Sequence, residues 1–231
     1  MIYRIGTETL ALYENGSCSL CGGAPVPFAH LVLEGKIIPA EAAEPAEGGF
    51  TLHFGGFSQR IEVQRQGRYC RFRALKADPA AEALLWGPFL AEYPGECGEI
   101  VGVARKDGQL VGIQSLNPKT VGGFPGELTE THPMGGNIIS RKGVREPLSA
   151  CTALPLQGGA ALQAYCCSRT EVAYRDYFYA KKALVLPAEG EDALIEGSAI
   201  ALFACPEQDA LSVISEIELT EGLPHTLVDG E

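Results

Sequence analysis

Cys18-Ser19-Leu20-Cys21 spaces two thiols so that both could converge on one tetrahedral ion, the geometry of half a zinc site. A complete site needs a second such pair or two close histidines. The nearest other donor is His30, so the cysteines read as small buried hydrophobes and no metal or other cofactor is expected. The adjacent Cys166 and Cys167 would point to opposite faces of a strand, which is a packing arrangement. His53, His132 and His225 are candidate proton carriers. Such chemistry requires a histidine and a carboxylate close together in a cleft, each with a tuned pKa. His53 alternates with Leu52 and Phe54 and should face away from them, while His132 precedes Pro133 in a loop.

Asn117-Pro118-Lys119-Thr120 follows a strand-like run and opens a glycine-rich stretch, so an amide, an ammonium and a hydroxyl leave a sheet edge together. That set suits the hydroxyls of a sugar. It also suits plain turn building, in which Asn117 caps, Pro118 fixes the turn and Lys119 points to water. Trp86, the single tryptophan, offers either a stacking platform for a pyranose or a core and interdomain anchor beside Gly87-Pro88-Phe89. The acids fall mainly in exposed-looking runs such as Glu41, Glu44 and Glu47, or Glu189, Glu191 and Asp192, and none marks the paired carboxyls of glycoside hydrolysis. No Ser-His-Asp signature, phosphate-binding glycine loop or dinucleotide fingerprint is present.

The elements that must position these groups are strands. Residues 69–75 alternate, with Tyr69, Arg71 and Arg73 on one face and Cys70, Phe72 and Ala74 on the other. Asn15-Gly16 predicts a type I′ hairpin between 9–13 and 17–20, Gly55-Gly56 separates strands at 50–54 and 60–64, and Lys106-Asp107-Gly108 predicts another hairpin between 99–104 and 110–116. The apolar Leu84-Leu85-Trp86 reads as a further strand, with residues 79–85 offering a turn or two of helix as the other reading. From Asn117 to about Leu156 the composition turns to Gly, Pro, Asn and Thr and predicts a long excursion, the kind of segment that tends to carry function. Strands return at 160–166, 182–186 and 198–203. Pro206 then opens a helix with Ala210, Ile214 and Ile217 on one face. Many short strands separated by turns imply a mainly β fold, a large antiparallel two-sheet sandwich with a short C-terminal helix.

Composition bounds the partners. The chain has 231 residues, 46% of them hydrophobic, and a formal charge of -11 from 18 basic and 29 acidic side chains. Scattered basic residues and an acidic balance exclude a phosphate-tracking surface and tolerate a neutral ligand such as a sugar. With no leading apolar run, neither a secretory signal nor a membrane span is expected. Eight cysteines then fit a reducing, cytoplasmic setting.

Five segments in order resemble a known family: Trp86-Gly87-Pro88-Phe89, Gly98 to Val103, Gly112 to Pro125, Leu162 to Cys166 and Ala201 to Pro206. Together they resemble the N-terminal galactose-mutarotase-like β-sandwich of gut-bacterial glycoside hydrolases, which precedes a (β/α)8 barrel similar to that of α-galactosidases. The likeness covers roughly residues 84–231. Glu221-Gly222-Leu223-Pro224-His225 corresponds to the stretch where such proteins pass into the barrel, although Thr226 stands where a proline is expected. The 126–145 loop is shorter and less acidic than in the family.

The resemblance implies a sandwich domain over 1–220 and a connector over 221–231, with the catalytic carboxylates on the barrel and no catalytic residue in this chain. Trp86, Asn117, Lys119, Thr120, Tyr165 and His225 are then the expected carbohydrate-binding or domain-contact residues. The expected partners are a carbohydrate and a catalytic barrel, in the same protein or a separate chain. A free-standing carbohydrate-binding module and an aldose-mutarotase-like enzyme are the alternatives.

Overall fold

In the computed structural model, residues 1–96, 100–123, 137–141, 144–148, 152–168, 173–177, 181–185 and 194–224 are described. The strands before the midpoint are β1 (Ile2–Arg4), β2 (Thr9–Leu12), β3 (Ser17–Leu20), β4 (Val26–Pro27), β5 (Ala29–Leu33), β6 (Lys36–Pro39), β7 (Ala42–Ala46), β8 (Gly49–Phe54), β9 (Phe57–Gln66), β10 (Tyr69–Leu75), β11 (Ala83–Ala91), β12 (Gly95–Glu96), β13 (Val101–Lys106) and β14 (Gln109–Ser115). They are followed by β15 (Val121–Gly122), β16 (Asn137–Arg141), β17 (Val144–Leu148), β18 (Ala153–Leu156), β19 (Gly159–Cys167), β20 (Ala173–Tyr177), β21 (Lys181–Val185) and β22 (Ala199–Pro206). A 3-10 turn at Glu207–Asp209 leads into the helix α1 (Ala210–Glu221).

The fold is a mainly β antiparallel sandwich. An eight-stranded front sheet runs β12-β13-β14-β22-β10-β9-β8-β7, and a six-stranded back sheet runs β15-β19-β11-β5-β6 with β18 added on β19. The expected alternation in β10 holds: Cys70, Phe72 and Ala74 enter the core between the sheets, and Tyr69 packs on the opposite face with Phe203 and α1 residues Val213 and Ile217. The interior is centred on Phe28, whose ring lies 5.1 Å from Phe50, 5.4 Å from Phe72 and Phe89, and 6.1 Å from Trp86. Edge-on and tilted ring pairs of this kind combine large apolar burial with favourable quadrupole geometry. A four-stranded sheet, β1-β2-β3-β4, contributes Leu10, Leu12, Cys18 and Leu20 to the same core. It joins the front sheet where Gly6 bridges Ala204, so closely that a Cβ at Gly6 would lie 2.1 Å from the Ala204 carbonyl oxygen.

Two local readings are corrected, and a third, the hairpin at Lys106-Asp107-Gly108, is present as expected. The Asn15-Gly16 hairpin forms, but only Gly16 has positive φ (75°), and Tyr13 and Ser17 close the turn by a backbone bond, so it is not type I′. The two positive φ values that type I′ requires occur at Asp107 (52°) and Gly108 (76°), between the paired Lys106 and Gln109. Residues 83–91 form a strand, as the apolar Leu84-Leu85-Trp86 implied, and 79–85 form no helix. The Asp78 carboxylate and carbonyl accept from Ala80 and Ala81, so the turn closes on itself before β11.

The excursion after Asn117 contains more strand than its composition suggested. β15 and β18 both pair with β19 in the back sheet. β16 and β17 form a hairpin, β20 and β21 another, and Ile139 opposite Arg175 joins them into a separate four-stranded sheet.

Candidate functional site

The polar residues singled out by sequence converge, but on one another. Trp86 on β11 is fully buried, and its indole Nε1 donates to Ser198 Oγ at 2.8 Å. Ser198 Oγ lies 2.9 Å from Thr120 Oγ1, which donates to Asn117 Oδ1 at 2.8 Å and accepts from the Ala199 amide at 3.1 Å. Asn117 Nδ2 donates to the Gly197 carbonyl at 2.7 Å. Lys119 Nζ donates to the carbonyls of Glu196 at 2.7 Å and Leu194 at 3.3 Å.

This chain of bonds runs from the back sheet at Trp86 to the lead-in of β22 in the front sheet, through the Asn117–Thr120 turn. The Asn117 carbonyl also accepts from the Thr120 amide, so the turn forms as its composition predicted, except that Lys119 turns inward to the Glu196 and Leu194 carbonyls instead of to water. Its side chains are then used a second time, to stitch the turn to residues 194–199. Thr120 is 2% exposed and Ser198 0%. Buried hydroxyls in a connected network are satisfied and fix a single arrangement, and each would be costly to strand.

Tyr165 does not join this network. It lies on the outer face of the back sheet with Val32, Ala83 and Leu85, and is itself buried. His225 lies outside the described residues, as do His132, the 126–136 stretch and the Glu189, Glu191 and Asp192 run. Ser198 was missed by sequence reasoning, because its partner Trp86 is 112 residues away and nothing local to a Gly-Ser before a strand announces it.

His30 on β5 sits beside the kink in β11. The registry between β11 and β19 shifts between Trp86 and Phe89, at Gly87-Pro88, and the freed Gly87 carbonyl accepts from His30 Nδ1 at 2.9 Å. Burial pushes the imidazole below its ordinary pKa, and the bond to Gly87 opposes that in part. His53 faces outward as predicted, 3.5 Å from Glu44. Glu44 is mostly exposed on the edge strand β7, so the contact adds little to stability, although His53 Nε2 itself is shielded from solvent.

Among the described residues, Cys18, Cys21 and Cys70 are packing groups. Burial raises Cys18 well above the usual thiol range and pushes Cys21 and Cys70 up to about 12. Among the described residues, no three His, Cys, Asp or Glu side chains come together as a metal site would need. The same residues include no helix long and apolar enough to cross a membrane. An open depression of about 360 Å³ lies where Glu92 and Pro94, the β13–β14 turn at Lys106, and Pro155 to Gly159 meet, and it contains none of the residues above. No protein-family model matches the chain, and no curated protein or solved structure is significantly similar to it.

Proposed function

We propose that this chain is a non-catalytic β-sandwich domain of a carbohydrate-active glycoside hydrolase, a scaffold that supports or lines the active site of an adjoining (β/α)8 barrel. The observation that carries the reading is the internal use of Trp86, Asn117, Lys119 and Thr120, whose polar atoms bind the sandwich together. A sugar platform needs an accessible ring face, and a fully buried indole offers none without opening the core.

The resemblance supports the same reading. Within the described residues its segments coincide with all or part of β11, β13, β14, β15, β19 and β22 and with the Asn117–Thr120 turn, which is compatible with a scaffold role. The barrel would bring the carboxylate pair that glycosidic cleavage needs. The test is hydrolysis of a panel of chromogenic glycosides by the purified chain. Rates equal to buffer are expected, and ordinary turnover would contradict the proposal.

One observation favours a second reading, an aldose-mutarotase-like activity: His53 and Glu44 bring a ring nitrogen and a carboxylate to 3.5 Å. Catalysed exchange of α and β anomers that disappears in His53→Ala would support it.

A further inference from the structure

The helix α1 is attached to the front sheet differently from the strands beneath it. Of its twelve residues only Val213 and Ile217 are buried, with Ala210 and Ile214 half-buried beside them, while Leu211 (82% exposed) and Leu219 (61% exposed) face away. A helix of this length is marginal alone, so it depends on what holds it down. Polar groups from β10 and the turn before it supply much of that hold. Arg68 reaches Ser212 and Glu216 near the middle of the helix. At the last turn, Glu221 Oε1 accepts from Tyr69 Oη at 2.6 Å and Oε2 from Arg71 Nη1 at 3.0 Å.

Glu221 is the unusual member. Its side chain is 7% exposed, against 32% for Glu216. It also occupies the final helical position, where the backbone dipole presents its negative end. A buried carboxylate there is tolerable only while a cation and a donor face it. Arg71 and Tyr69 come from the sheet, so this compensation exists only when the helix is docked.

We infer that α1 is a detachable strap, locked at its last turn by Glu221. The helix and the strand residues beneath it form an apolar cluster separate from the main core, on the far side of the front sheet, so the helix can leave while the sandwich stays folded. The lock also sets the direction in which the chain leaves, because Gly222 turns it at φ 68° directly after Glu221 and the Leu223 amide bonds back to the Glu218 carbonyl.

The test is amide hydrogen exchange on the full chain, comparing α1 with β11 and β19. Replacing Arg71 by Met leaves Glu221 buried without its cation and should accelerate exchange in α1 by about 10-fold or more, with β11 and β19 unchanged. Adding Glu221→Leu removes the buried stranded charge, leaving only Glu62 on β9, the partly exposed second partner of Arg71, and should bring α1 back to within about 3-fold of the wild-type chain. If Arg71→Met fails to fold, Glu221→Gln alone decides: α1 should exchange about 3- to 10-fold faster while the sandwich strands hold. Exchange of α1 in step with β11 and β19 in every variant, or a double variant no better than Arg71→Met, would overturn the inference.

Discussion

Trp86 on the back sheet and Ser198 at the lead-in of β22 meet at 2.8 Å, indole nitrogen to hydroxyl, beside the main apolar core. Ser198→Ala would strand the indole N–H and remove one partner of Thr120, so the folded state should lose about 1–3 kcal/mol. Urea unfolding followed by the fluorescence of the single tryptophan measures this. An unchanged midpoint would show that the network is not part of what holds the sheets together.

Gly112 on β14 faces the ring of Phe203 across the β14–β22 pair, and a Cβ there would come within 2.3 Å of the ring tip. Gly112→Ala should displace Phe203 from beneath α1 and destabilise by about 1–3 kcal/mol, the usual range for overpacking. The check is the denaturation midpoint. A variant as stable as the parent would mean that the ring has room to move.

His30 titrates below its ordinary value when folded, so the unfolded chain binds the extra proton first. Stability from this residue is intact above about pH 6.5 and falls as the pH drops below it toward the depressed folded value. His30→Gln should flatten that part of the stability profile relative to the parent. Identical pH slopes for the two proteins between pH 5 and 7 would refute the assignment.

Cys21 and Cys70, held near 12 by burial, and Cys18 beyond them should stay unmodified by iodoacetamide at pH 8 in the folded chain and react once it is unfolded. Mass-spectrometric mapping of the alkylated peptides provides the readout. Prompt labelling of Cys21 in the native protein would mean a reactive thiol that burial does not account for.

Much of the architecture was legible because the sandwich writes itself locally. Alternation in 69–75, the Asp107-Gly108 turn and the amphipathic stretch after Pro206 each announced an element that is present. The Asn15-Gly16 turn was mistyped because Asn15 keeps a negative φ when a longer loop is available. The strands at 160–166, 182–186 and 198–203 were legible, whereas β15 to β18, inside the Asn117 to Leu156 stretch, were missed because a Gly- and Pro-rich composition masks the alternation of short strands. The candidate residues were recognisable as polar groups at a sheet edge, but the direction they face is set by Ser198 and Gly197 about 80 residues later, which no local pattern encodes.

The scaffold reading is tested most directly by proton NMR of the purified chain mixed with a panel of glycosides and free aldoses, which reports hydrolysis and anomer exchange in one tube. Both rates should equal those in buffer, and Thr120→Val should change stability without changing either. Turnover by the wild-type chain would place a working site within it and contradict the account.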